Sequence, residues 1–218
     1  MIYLSGCVHP PVKLQRPNLG IMVTYDRSNT KIARADLSRV LNSVVWAADN
    51  GCFTNPNLDV PDYLRWLEER KAGLPRCLFA VAPDVVANAE ATWERSLPVL
   101  PVLRNMGFQA AFVAQDGQEK LPMLWHTFDC LFIGGSTKWK LSENAFQLCM
   151  EAKKRGKWVH MGRVNSRKRL RVATLALCDS SDGTHLCFGP DKRTPQLVGW
   201  LNELAQQPFL PFGGVEAK

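Results

Sequence analysis

The chain has 218 residues, 46% of them hydrophobic and 22% charged, with a formal net charge of +7. Those values describe one ordinary globular domain with a full core. They exclude a helical membrane protein, because no apolar stretch reaches the ~18 residues that span a bilayer. Met1 to Cys7 lacks the basic and long apolar regions of a secretory signal, so a cytoplasmic location is expected. The seven cysteines form no Cys-x-x-Cys pair, and several lie in apolar runs, so reduced structural thiols are expected. No segment offers the clustered Cys and His ligands of a zinc site, and neither metal nor cofactor is called for.

In chain order, apolar runs at roughly 2–5, 20–25 and 44–48 read as buried strands. The connection 26–43 looks irregular. A helix is predicted over 62–71, with Tyr63, Leu64, Trp66 and Leu67 on one stripe and Pro61 suited to the first turn. A strand at 78–82 precedes a helical stretch over 88–105, broken by Pro98 and Pro101. Strands at 110–114 and 130–134 flank an irregular connection over 116–128. Ser142 opens a helix that ends near Gly156, followed by a strand at 158–162 and a helix over 166–176. A last strand at 177–182 and a helix over 194–206 complete the series.

Strand–helix alternation with eight strand candidates predicts an α/β fold, a compact (β/α)8 TIM-like barrel. The barrel domain is assigned to residues 1–207 and a frayed tail to 208–218. Six runs end in Asp49, Asp84, Gln115, Gly134-Gly135, Gly162 and Asp182. In a parallel barrel every strand's C-terminal end opens on the same mouth, so these residues are expected to converge on one catalytic site.

Nine Lys or Arg and no acid lie between Lys153 and Arg171. This run is either a solvated face or a phosphate-tracking surface; its place around Gly162 favours phosphate. Lys138, Lys140, Arg163, Arg167, Lys168 and Arg169 are the candidate nucleic-acid contacts. Trp139 either packs under its own loop or fills a vacated base stack. Cys7 and His9 lie beside the first strand end and within reach of the mouth, whereas His160 reads as a satisfied core histidine.

The strand-end motifs resemble those of tRNA-guanine transglycosylases. Ala48-Asp49-Asn50-Gly51-Cys52-Phe53 is similar to their Asp-Ser-Gly-Gly-Phe segment, and Pro83-Asp84-Val85-Val86 to their Ser-Asp-Ile-Val. Val113-Ala114-Gln115-Asp116-Gly117 resembles their Val-Gln-Gly, Gly134-Gly135 their paired glycines, and Met161-Gly162 their Met-Gly. Asp179-Ser180-Ser181-Asp182 is similar to the Asp-x-x-Asp that holds their nucleophile. The order is the same over about residues 44–184. The tRNA enzymes carry a Cys-rich zinc module with no counterpart in this sequence, and Cys52 replaces a glycine. The zinc-free pattern, with Val164-Asn165-Ser166 after Met-Gly, is closer to phage and bacterial deazapurine DNA transglycosylases.

The resemblance implies exchange of guanine in DNA for a free 7-deazaguanine base such as preQ0, with DNA as partner. Alternatives are a tRNA-type enzyme or subunit, a plain N-glycosidase, and an idle nucleic-acid-binding accessory barrel. Base exchange needs one carboxylate to attack C1′ and another to shuttle a proton to the leaving base. Asp182 is expected to be the nucleophile, with Asp179 as the competing choice, and Asp49 the general acid/base. Asp84 and Gln115 are expected to bind the guanine edge, although Asp84 also suits a helix N-cap. Gly134 and Gly135 are expected to let backbone amides approach the base, or else only to form a tight turn. Phe53 and Met161 are expected to sandwich the base beside Gly162.

Overall fold

The computed structural model describes residues 1–7, 16–25 and 39–206. Eight parallel strands close into a barrel in chain order. They are β1 (Ile2–Ser5), β2 (Leu19–Thr24), β3 (Val45–Asp49), β4 (Cys77–Val81), β5 (Ala110–Ala114), β6 (Cys130–Ile133), β7 (Trp158–Met161) and β8 (Ser180–Gly183). β8 pairs with β1, placing Asp182 opposite Leu4. The expected TIM-like architecture is therefore present.

Buried parallel strands have apolar residues on both faces, and the period of two decides which layer each joins. Leu4, Met22, Phe79, Val81, Ala111 and Val113 fill the barrel interior, with Phe132 and Trp158 packed against them. Their alternates Tyr3, Ile21, Trp46, Phe112, Ile133 and Met161 face the helices. Fully burying one large apolar side chain stabilises by roughly 1.5–3 kcal/mol.

Seven α-helices are named among the described residues: α1 (Val60–Glu68), α2 (Ala89–Ser96), α3 (Leu100–Asn105), α4 (Thr137–Lys140), α5 (Glu143–Lys154), α6 (Arg167–Leu175) and α7 (Pro190–Gln206). Asp59, Asn88, Ser142 and Ser166 cap α1, α2, α5 and α6, each accepting a backbone N–H of the first turn. The stretch around Pro98 separates α2 from α3, as the sequence predicts. The 116–128 connection holds two short 3-10 turns, Gln118–Lys120 and Trp125–Thr127. The first irregular connection lies mostly outside the described residues, as do His9 and the tail. No helix among the described residues is long and apolar enough to cross a membrane.

Three expectations need correction here. β8 starts at Ser180 rather than near 177, because α6 runs to Leu175 and Leu177 takes a left-handed φ of 56°. The last helix starts at Pro190 rather than Thr194. Cys7 and Cys187 are joined by a disulfide instead of being free thiols. Pairing of β1 with β8 puts the segments after these two strands side by side, which supplies the proximity a bridge requires. Cys52, Cys77, Cys130, Cys149 and Cys178 are free.

Candidate active site

Following the inward alternation to the C-terminal ends of the strands, or one residue beyond them, reaches most of the floor of a cavity of about 460 Å³ at the mouth. β1, β6 and β7 contribute Gly6, Gly134 and Gly162 to it. β2, β3, β5 and β8 contribute Thr24, Asp49, Gln115 and Asp182, and Asp84 follows β4. Glycine at three of these positions keeps the space open. A Cβ on Gly162 would stand 2.7 Å from Phe132 and 3.3 Å from Asp182 Oδ1, and one on Gly134 2.6 Å from Val113.

Asp182 sits with a fixed set of partners. His160 Nε2 lies 3.0 Å from its Oδ1, and the Arg163 N–H donates to the same oxygen at 3.2 Å. Arg163 adopts a left-handed φ of 58°. Asp179, the competing nucleophile, sits just before the opposite end of β8. It forms an ion pair with Lys153 at 2.7 Å, accepts the Val159 N–H, and does not line the cavity.

Burial, followed by the charges of Asp182 and Asp84, pushes the Asp49 carboxyl up to about 7 against hydrogen bonds from Thr24 and Gly51. A carboxyl in that range is a neutral proton donor near neutral pH. Asp84 is buried, and its carboxylate accepts from Asn50 Nδ2 at 2.8 Å and Gln115 Nε2 at 2.6 Å. Burial raises its pKa, while these two bonds oppose the rise. The cap of α2 is Asn88, so Asp84 is not a helix cap.

Several expected contacts are rearranged. Gln115 Oε1 accepts the N–H of Ala87 at 2.9 Å and of Gly135 at 2.8 Å, so both ends of this amide engage the protein. The Gly134 N–H donates to Ala114 O. Neither glycine amide is therefore free for a base; what the pair supplies is space and, at Gly135, a φ of 66°. Met161 does not stack on anything in the cavity. It alternates outward from His160 and Gly162 into the helix-facing core. Phe53 lines the cavity at 60% exposure, and its ring is covered 4.5 Å away by the Arg163 guanidinium.

The cationic candidates divide. Lys138 is exposed, but Lys140 is only 3% exposed and lines the cavity, with its ammonium donating to Gly162 O. Burial, followed by the charge of Arg163, lowers its pKa to about 7. It belongs to the cavity wall instead of an outer phosphate rim. Trp139 packs under its own loop, its indole donating to Glu119 at 2.9 Å. Arg163 reaches Gly135 O, Arg169 reaches Arg163 O at 3.1 Å, and Arg167 pairs with Glu203.

Sequence reasoning missed Asn50, which braces Asp84, and Asp116, which accepts both N–H and O–H of Ser136 at 2.6 Å. Asn50 was visible inside the Asp49 motif; only its contacts reveal its role.

No family model and no curated protein matches the chain.

The first turn of α6 holds Arg167, Lys168 and Arg169 with no acidic residue. Cations there oppose the helix dipole, so this turn carries a local cost of a few tenths of a kcal/mol per charge. A rule broken beside the mouth, with Lys168 exposed, fits a surface that meets phosphates. Replacing Lys138 and Lys168 with Ala is expected to lower the salt dependence of nucleic-acid binding by roughly 0.7–0.9 log units per lost contact. An unchanged slope would reduce these lysines to a solvated face. Arg167 is expected to contribute less because Glu203 competes for it, although an exposed pair of this kind exchanges partners readily.

Proposed function

We propose that the chain is a base-exchanging glycosyltransferase of the kind its strand-end motifs resemble, replacing guanine in DNA by a 7-deazaguanine through a glycosyl ester on Asp182. One observation carries this reading. A carboxylate held by donors on one oxygen and a carboxyl whose pKa is raised to about 7 line the same cavity. Two titratable groups with divergent environments are what a nucleophile and a proton shuttle require. Asp182 attacks C1′ as the C1′–N9 bond breaks, and Asp49 protonates the leaving base. The incoming base then attacks C1′ from the side the first base left, the C1′–O bond breaks with its electron pair returning to the Asp182 carboxylate, and the proton of the incoming base passes to Asp49. Two inversions keep the β configuration.

Asp84, braced by Asn50 and Gln115, presents acceptor oxygens to a guanine N1–H and exocyclic amine. Phe53 and the Arg163 guanidinium offer a stacking surface at the entrance. A base stacked in a duplex cannot enter this cavity, so the nucleotide is flipped out or single-stranded. The basic first turn of α6 suits a few nucleotides around the target, which favours DNA as acceptor.

Incubation with a labelled 7-deazaguanine and either DNA or tRNA, followed by nucleoside mass spectrometry, tests the acceptor. Modified deoxynucleoside is the expected product. Modification confined to tRNA would replace the acceptor and retain the chemistry. Guanine release without base incorporation would make the protein an N-glycosidase.

A further inference from the structure

Beneath the cavity floor lies a group of polar side chains that the proposed reaction does not itself use. His160 is fully buried inside the barrel, flanked by the rings of Phe79 and Phe132 with centroids 5.0 and 4.5 Å away. The charged groups facing it are Asp182 and, through its field, Lys140. Its Nδ1 lies 2.8 Å from Ser180 Oγ, its Nε2 lies 3.0 Å from Asp182 Oδ1, and Trp158 Nε1 lies 2.8 Å from the same Ser180 oxygen.

The direction of these bonds follows from the two end groups that have no choice. An indole N–H only donates, so Ser180 Oγ accepts from Trp158. The ionised Asp182 carboxylate only accepts, so the single proton of the neutral ring sits on Nε2, and the bare Nδ1 accepts from the Ser180 hydroxyl. Nε2 therefore carries the proton and donates it to Asp182. Burial holds the ring toward its neutral form, so it donates without cancelling the carboxylate charge. With the Arg163 N–H also on Oδ1, that oxygen receives two donors. Among the described residues no donor reaches Oδ2.

We propose that Trp158, Ser180 and His160 form a one-way relay that fixes His160 as its Nε2–H tautomer, pins Asp182 by Oδ1, and leaves Oδ2 as the attacking atom. The inference rests on the glycosyl-transfer reading for its chemistry, although the relay itself is a property of the folded protein. In the first step an Oδ2 lone pair forms the bond to C1′ while the C1′–N9 electron pair leaves with guanine and is protonated by Asp49. His160 neither gains nor loses a proton. When the incoming base displaces the ester, negative charge returns to Asp182, and the Nε2–H bond to Oδ1 strengthens as it does so. His160 is thus a positioning residue that also favours the departing carboxylate.

Nitrogen NMR of the full chain labelled at histidine tests the relay directly, with His160→Gln used to assign the signal among the four histidines. Above neutral pH the expected spectrum shows a protonated Nε2 and a bare Nδ1. A protonated Nδ1 with a bare Nε2 would overturn the proposal. Exchange kinetics supply a second readout. His160→Gln keeps an N–H donor and is expected within about tenfold of wild type, whereas His160→Leu should lose about 10²-fold in kcat with KM little changed. Equal losses in both variants would also overturn it. If wild-type protein exchanges no base on any nucleic acid, the functional reading fails, and the nitrogen spectrum still decides the relay.

Discussion

Asp182→Asn is expected to abolish covalent trapping and base exchange while leaving the fold intact. The amide has the shape of the carboxylate, and its oxygen can still accept from His160 Nε2 and the Arg163 N–H, which lie 3.0 and 3.2 Å from Oδ1. What it loses is the proposed nucleophile, and the expected fall in rate is at least ~10⁴-fold. Thermal unfolding should change little, because the side chain is 17% exposed and no partner is left unpaired. Asp179 offers no rescue, since its carboxylate is bound to Lys153 and the Val159 N–H away from the cavity. Near-normal exchange by this variant would remove Asp182 from the mechanism.

Asp49→Asn separates chemistry from stability in opposite directions. Without the proposed proton donor the protein is expected to bind nucleic acid and fail to release guanine, with a loss of about 10²–10⁴-fold. The wild-type rate of base release should fall as pH rises through about 7, where the donor ionises. Folding responds to the same proton. Because burial and two neighbouring carboxylates raise the Asp49 pKa from 3.8 to about 7, the stability tied to its protonation is fully present below 3.8. That stability declines as pH rises and is lost once pH passes about 7. The upper bound on this loss is about 4 kcal/mol. At pH near 8 the Asn variant is therefore expected to unfold at a higher temperature than wild type, and below about pH 3.8, where both states of wild type are protonated, the two should differ little. A variant less stable than wild type at both pH values would contradict the burial of this carboxyl.

The barrel was legible because parallel strands buried on both faces leave continuous apolar runs, and their ends carry the polar residues of the mouth. Boundaries were less so: nothing local marks Leu177 as the left-handed turn that delays β8. At Met161 a motif resemblance competed with strand alternation, and alternation decided the outcome. With Gly162 facing the cavity, the residue before it must face the helices. The His160 contact was not readable, because it depends on the register that sets His160 beside Ser180 across β7 and β8. The Cys7–Cys187 bridge spans 180 residues and exists only once the barrel closes. Lys138, Trp139 and Lys140 show the same limit within four residues, since the single turn of α4 sends one outward and buries the other two.

Locating the covalent intermediate tests the central claim most directly. Wild-type protein mixed with guanine-containing DNA, denatured during turnover and digested, should yield a peptide carrying a deoxyribosyl adduct through an ester on Asp182. Addition of excess free base before denaturation should discharge it. An adduct on any other residue, or base exchange that proceeds with no protein–DNA bond at any time, would contradict the account.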